Sequence, residues 1–142
     1  MTAMPAANTA FANLTGEAEI VRLFLEASMV PDPETAQRYI APELVITFTG
    51  GRKYSHPRET AAFNAKRYKW VKKAMERFDV SPGQSETIVY SIGTLYGEWH
   101  DGTPFEGNRY VDRFVVRQGK IVKMDVWNDS AERLLTRNGL DL

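Results

Sequence analysis

The pattern of this chain predicts one α+β domain, in which a strongly curved, mostly antiparallel β-sheet wraps around about three N-terminal helices and encloses a pocket. Three observations carry that expectation. Apolar residues recur at helical spacing up to about residue 72; runs of β-branched and aromatic residues, split by turn signals, fill the rest; and one carboxylate, Asp112, falls on an otherwise oily strand face. Short side chains cannot fill the hollow of a bent sheet, so a cavity follows from the curvature.

The first helix is expected over residues 14–29, where Ile20, Leu23, Phe24 and Ala27 share a face. Thr15 is placed to cap it, and Glu17 and Glu19 suit the positive end of its dipole. Pro31-Asp32-Pro33 stops this helix, Asp32 or Pro33 restarts a shorter one through Tyr39-Ile40, and Ala41-Pro42-Glu43 breaks the chain again. Residues 44–49 read as a strand ending at Gly50-Gly51, followed by a polar loop over 52–56. Pro57 opens a third helix reaching about Lys72, with Phe63 and Trp70 on one face. Strand-like runs follow at 75–80 and 86–100, separated by Pro82-Gly83. After Asp101-Gly102-Thr103-Pro104 comes a long hairpin, and Asp129 or Ser130 caps a last helix over 131–137.

The hairpin, residues 104–129, turns at Arg117-Gln118-Gly119-Lys120. A three-residue turn with Gly119 in the left-handed region puts Tyr110, Asp112, Phe114 and Val116 on one face with Val122, Met124, Val126 and Asn128. A two-residue turn slips the second strand by one residue and sets Lys123 and Asp125 beside Phe114, so the apolar match favours the longer turn. Asp112 then points inward. The opposite face is mixed, and its apolar members Val111, Val115, Ile121 and Trp127 form a strip suited to a homodimer contact.

Composition bounds the possible partners. The 142 residues are 43% hydrophobic and 25% charged, enough for one domain with a real core, spanning 14–142 behind a frayed tail at 1–13 that is rich in Ala, Thr and Asn. Eighteen basic residues balance eighteen acidic ones, which argues against a whole-protein attraction to nucleic acid or to a membrane surface. The basic run Arg58, Lys66, Arg67, Lys69, Lys72, Lys73 and Arg77 reads as a solvated helix face rather than a nucleic-acid site. Cysteine is absent, which removes disulfides, thiol nucleophiles and thiolate metal sites. No compact His and carboxylate cluster suggests a metal, no motif implies a cofactor, and neither a signal segment nor a membrane span is read; a cytoplasmic protein is the default expectation.

Tyr39-Ile40-Ala41-Pro42-Glu43-Leu44-Val45, Tyr110-Val111-Asp112-Arg113-Phe114, Gly119-Lys120-Ile121-Val122 and Trp127-Asn128-Asp129 are the segments in which the chain resembles the nuclear transport factor 2-like superfamily. That superfamily includes ketosteroid isomerase, scytalone dehydratase, limonene epoxide hydrolase and the SnoaL-like polyketide cyclases. The resemblance runs from about Gly16 to Leu135 and implies a cone-shaped fold with an internal pocket. It does not carry over every chemistry. The epoxide-hydrolase Arg and Asp meet Gly93 and Leu95 here, with Val126 at the position of a further Asp; the dehydratase histidine pair has no counterpart in His56 and His100; the isomerase base position reads Ile46-Thr47-Phe48, with Tyr54 or Tyr110 and Asp112 as partial oxyanion-hole candidates. The polyketide-cyclase type of pocket carboxylate survives as Asp112.

The expected site therefore has Asp112 as acid or base, Tyr110 and Asn128 as its hydrogen-bond partners, and His56 as an assistant at the pocket mouth. Its lining is expected from Phe48, Tyr54, Phe63, Arg67, Trp70 and Trp99, together with Phe114, Met124, Val126 and Asn128. Whether Tyr96 or Trp99 points inward is left open by a strand that is apolar on both faces. Two functions remain open as well. One is binding of a small hydrophobic or aromatic molecule with cofactor-free proton transfer of the isomerase, cyclase or dehydratase type; the other is a non-catalytic dimerisation or ligand-sensing module. A well-packed interior with Asp112 salt-bridged points to the second, and an open cavity with an unpaired carboxylate to the first.

Overall fold

The computed structural model describes residue 14 and residues 16–140; the tail at 1–13 and the Thr15 cap lie outside them. Helix α1, Glu17–Met29, buries Ala18, Val21, Phe24, Leu25 and Ala27 at helical spacing. Its outer face is tied by Arg22, whose guanidinium donates to Glu19 and Glu26 at 2.6 Å each. Asp32 restarts the chain as the reading expects, accepting hydrogen bonds from the Thr35 amide at 3.1 Å and hydroxyl at 2.6 Å, with Pro33 at the first position of α2, Pro33–Ala36. A 3₁₀ turn, Gln37–Tyr39, leads into β1, Ile40–Thr47.

Strand β1 starts earlier than the sequence reading places it, because Pro42 falls where pairing skips from Ile40 to Val45 and its missing N–H is not needed. Thr49 belongs to a second 3₁₀ turn, and the expected polar loop contains a short edge strand, β2, Lys53–Tyr54, paired with the end of β1. Helix α3, Pro57–Arg67, stops five residues short of the expected end. From Trp70 the chain is instead a twelve-residue strand, β3, Trp70–Ser81, laddered along β4, Thr87–Glu98. Lys69 and Lys72, read as one solvated helix face, follow or lie beyond the helix end. The exposed charges of β3, Glu76 and Arg77, sit on a sheet edge, where they discourage pairing with another chain.

The sheet order is β2-β1-β6-β5-β4-β3, with β5 as Pro104–Arg117 and β6 as Lys120–Asn128. Every neighbouring pair is antiparallel except β1 with β6. Register irregularities at Met75/Arg77, Leu95/Gly97 and Val115/Val116 bend the three long strands. Helix α4, Ser130–Arg137, closes the chain. Among the described residues no helix is long and apolar enough to cross a membrane.

The β5–β6 hairpin has the inner face expected of it but reaches it differently. Arg117 pairs with Lys120 around a two-residue turn, with Gln118 at φ 52° and Gly119 at φ 76°, the positive dihedrals a type I′ turn requires. The slip this implies is cancelled by the bulge beside Val116, so that Phe114 faces Met124, Asp112 faces Val126 and Tyr110 faces Asn128. Val122 is the extra residue, and Ile121 takes its place in the core. Val115 and Ile121 are therefore buried, which removes them from the expected outer strip. Trp127 remains 56% exposed there, beside the half-buried Val111 and Ile92 in one row across three strands.

The core lies between α1 and the concave side of the sheet, around Val21, Phe24, Leu25, Ile46, Val89, Phe114, Val116 and Ile121. A second apolar cluster joins Tyr68, Leu95, Trp99, Phe105 and Tyr110, with Trp99 and Phe105 rings stacked at 4.4 Å between centroids. This decides the open question about β4. Alternate residues from Val89 to Trp99 are buried, so Trp99 points inward and Tyr96 outward.

Candidate functional site

Three rows of paired residues cross the concave face: Val89–Phe114–Met124, Ser91–Asp112–Val126 and Gly93–Tyr110–Asn128. Gly93 shapes the last row. A Cβ there would overlap the Ala74 carbonyl oxygen and come within 3.0 Å of Tyr110 Cε2, so the missing side chain is the space the phenol ring occupies. Lys73, from β3, lies over that ring with its ammonium 4.8 Å from the centroid.

Asp112 has no exposed surface, and both of its oxygens lack a hydrogen-bond donor. Among the described residues its charged partner is Lys73, with Nζ 3.3 Å from Oδ2, an ion pair. Burial pushes the Asp112 carboxyl above the ordinary carboxylate range, and the Lys73 charge pulls it partly back. Burial likewise raises the Tyr110 phenol, against the Ser91 hydrogen bond.

The expected partners of Asp112 are engaged elsewhere. The Tyr110 hydroxyl pairs with Ser91 Oγ at 2.8 Å. Asn128 Oδ1 accepts the Ser130 amide at 3.0 Å, which starts α4, while Asp129 at the cap position turns its carboxylate to Arg109 at 2.6 Å. His56 caps α3: Nδ1 accepts from the Arg58 amide and Nε2 donates to Gln37 Oε1, both at 3.1 Å, and Glu59 returns the bond to the His56 amide. Partial burial, helped by the neighbouring Arg58 charge, lowers its pKa.

A cavity of about 70 Å³ opens between the sheet and the helices. α1 contributes Phe24, Leu25, Ser28 and Met29, the following loop Pro31, and α3 Thr60, Ala61 and Asn64; Tyr68, Val71, Lys72, Lys73, Leu95, Met124, Val126 and Asn128 come from the sheet side. Four of the ten expected lining residues are here: Phe48, Met124, Val126 and Asn128. Tyr54 and Phe63 pack behind Phe48, at 6.0 and 5.3 Å between ring centroids. Phe114 is core, set edge-on to Phe24. Trp70 packs edge-on to Tyr96, whose side of the sheet is the outer one. Arg67 and Trp99 line a separate surface cleft with His100, Asp101 and Arg137. Asp112, Tyr110 and His56 are absent from the cavity lining; the expected polar end belongs to Lys73, which touches the cavity on one side and Asp112 on the other.

The residues the sequence reading missed are Lys73, Lys72, Tyr68, Asn64 and Ser28. All five line the cavity and bring polar side chains to it. Tyr68 donates to Ser130 Oγ at 2.6 Å, and Asn108 Nδ2 also reaches that oxygen, at 3.1 Å. Burial raises the Tyr68 phenol, opposed by its Ser130 bond. A signal for Lys73 was present: Trp70-Val71 begins a β-prone run whose alternate positions 71, 73 and 75 face the same way. Among the described residues, no group of three or more histidine and carboxylate side chains is placed to hold a metal ion.

No protein-family model matches the chain, and no curated protein matches it. Solved structures do. A nuclear transport factor 2-like protein of unknown function from Burkholderia pseudomallei superposes with a TM-score of 0.68 at 18% identity, over 85% of this chain and 96% of the other. TerC, co-crystallised with polyporic acid, gives 0.66 at 16% identity over 82% and 93%. A protein from Jannaschia, provisionally named a SnoaL-like polyketide cyclase, gives 0.61 at 13% identity over 87% and 95%. The chain thus has the nuclear transport factor 2-like fold, the curved α+β cone that its sequence resembles.

Proposed function

We propose that the protein binds a small hydrophobic or aromatic molecule in the cavity behind Lys73 and moves a proton on it without a cofactor, as an isomerase, cyclase or dehydratase does. The observation that carries this reading is a fully buried carboxylate, without a hydrogen-bond donor, 3.3 Å from a lysine of the cavity wall. Burying a carboxylate with one ion-pair partner and no further donor is costly, and a pocket is where such a cost has a use. Lys73 would face the ligand from the cavity wall while Asp112, beside its nitrogen, takes or returns the proton. Structural neighbours named as polyketide cyclases and ketosteroid isomerases support the class of chemistry by analogy of fold alone.

The test is hydrogen–deuterium exchange at the α-carbon of 2-indanone, followed by NMR. Asp112→Asn is expected to lower the protein-dependent exchange rate by roughly 10²–10⁴-fold. An unchanged rate removes Asp112 from the mechanism. The second reading, a non-catalytic ligand-sensing module, is favoured by the ion pair and by the absence of Asp112 from the cavity lining. Binding of 2-indanone without exchange selects it.

The same proposal includes a homodimer through the outer sheet face and a cytoplasmic setting, with neither nucleic acid nor membrane as partner. Exposed Trp127, the adjoining Val111 and Ile92, and the Arg113–Asp125 pair at 3.5 Å make that face apolar at its middle and charged of both signs nearby. Trp127→Glu is expected to convert a dimer to a monomer in sedimentation equilibrium. A parent protein that sediments as a monomer at every concentration ends the dimer proposal.

A further inference from the structure

We infer that Lys73 is a carbonyl-capturing nucleophile, forming an imine with a small aromatic aldehyde or ketone held in the cavity, with Asp112 carrying the protons. The inference rests on the ligand-binding reading above and assigns the cavity a covalent step.

The lysines sort by what their amines can reach. Lys53 Nζ donates to Thr47 Oγ1, Lys120 Nζ to the Arg38 carbonyl, and Lys69 pairs with Glu98 on the surface. Among the described residues, Lys72 and Lys73 are the lysines of the cavity wall, and Lys72 Nζ donates to the Met29 carbonyl. The Lys73 side chain keeps 18% of its surface open and has a carboxylate, not a hydrogen-bonded carbonyl, beside its nitrogen. An ammonium attacks nothing, so a nucleophilic lysine needs a neighbouring group to receive its proton. Asp112 stands 3.3 Å away with both oxygens free of other donors, placed to receive that proton.

The step balances within the pair and the ligand. Lys73 passes a proton to Asp112, and its amine attacks the carbonyl carbon to form the C–N bond. One remaining amine hydrogen moves to the carbonyl oxygen as its π bond to carbon opens, giving a neutral carbinolamine, and Asp112 then returns its proton to the hydroxyl. Water leaves as the C–O bond breaks, and the nitrogen keeps its last hydrogen as a protonated imine paired with the Asp112 carboxylate; no electrons are gained or lost overall. The apolar wall of Phe24, Leu25, Val71 and Met124 limits the water that would reverse it. An imine so formed also acidifies the ligand's α-carbon, which links capture to the proton transfer proposed above.

The experiment treats the full-length protein with benzaldehyde and sodium cyanoborohydride, then maps N-benzyl lysine by peptide mass spectrometry over time. Lys73 is expected to be modified about a hundredfold faster than exposed Lys69, and Asp112→Asn to bring Lys73 down to the surface rate without changing Lys69. Toluene, which fills the same space without a carbonyl, is expected to slow Lys73 selectively in the parent protein, a comparison that does not depend on the variant folding. Modification of Lys73 no faster than Lys69, or at a rate indifferent to Asp112→Asn, overturns the inference. Benzaldehyde bound in the cavity by NMR but never fixed to Lys73 overturns the covalent step while leaving ligand binding in place; no binding in the cavity overturns both.

Discussion

Lys73→Met is expected to cost about 3–5 kcal/mol of stability above neutral pH, the penalty of leaving a buried charge without its partner. The size follows from Asp112, which has no solvent contact and no hydrogen-bond donor to fall back on once the ammonium is gone. The pH dependence has a definite sign. Because burial raises the folded-state pKa of Asp112 above its ordinary value of 3.8, the folded protein binds more protons than the unfolded chain between those two values, and stability falls as pH rises through that window. Below the window both states are protonated and the group contributes nothing; above it the full penalty applies. Removing Lys73 takes away the interaction that lowers the pKa, so the variant's window reaches to higher pH than the parent's. Urea unfolding across a pH series is the measurement: the deficit of Lys73→Met should be largest at high pH and fade in acid. A deficit of constant size would mean that lost packing over Tyr110, not the orphaned charge, sets the cost. Adding Asp112→Leu to Lys73→Met should recover much of the loss, since an apolar pair replaces buried ions at little or no cost.

Phe114→Ala is expected to destabilise the fold by about 3–5 kcal/mol, the range for deleting a buried aromatic ring. Phe114 is fully buried in the middle of the concave face, opposite Val89 on one side and Met124 on the other, and its ring meets Phe24 edge-on at 6.0 Å. That contact seats α1 on the sheet, and α1 supplies Phe24, Leu25, Ser28 and Met29 to the cavity wall. The substitution should therefore weaken ligand binding as well as stability, which equilibrium unfolding and a ligand titration on the same sample separate. A loss under about 1 kcal/mol would show that the neighbours collapse into the space, and that α1 is held mainly by its other contacts.

The elements whose apolar spacing repeats over two or more turns were legible before any coordinates. Helix α1 is one, and the alternation of Tyr110, Asp112 and Phe114 against Asn128, Val126 and Met124 is another. Turn chemistry near prolines was legible too, as with Asp32-Pro33. The end of α3 was not. Nothing local forbids helix over 68–72; β3 exists because β4 offers a ladder along its whole length, and the partners of Trp70, Val71 and Lys72 are Glu98, Gly97 and Tyr96, far along the chain. The hairpin register was recovered through a wrong turn, since a two-residue turn plus a bulge brings the same faces together as the three-residue turn expected.

The site divides along the same line. That Asp112 is an inward carboxylate among oily neighbours follows from period-two alternation, which belongs to the strand and needs no partner. Its pairing with Lys73 and its distance from the cavity surface depend on how far β3 curls over β5, and on the gap that Gly93 leaves for Tyr110. Residue order dictates which way a side chain faces; only the packed sheet settles what it meets there, because that contact is made between segments whose separation along the chain carries no information about their distance in space.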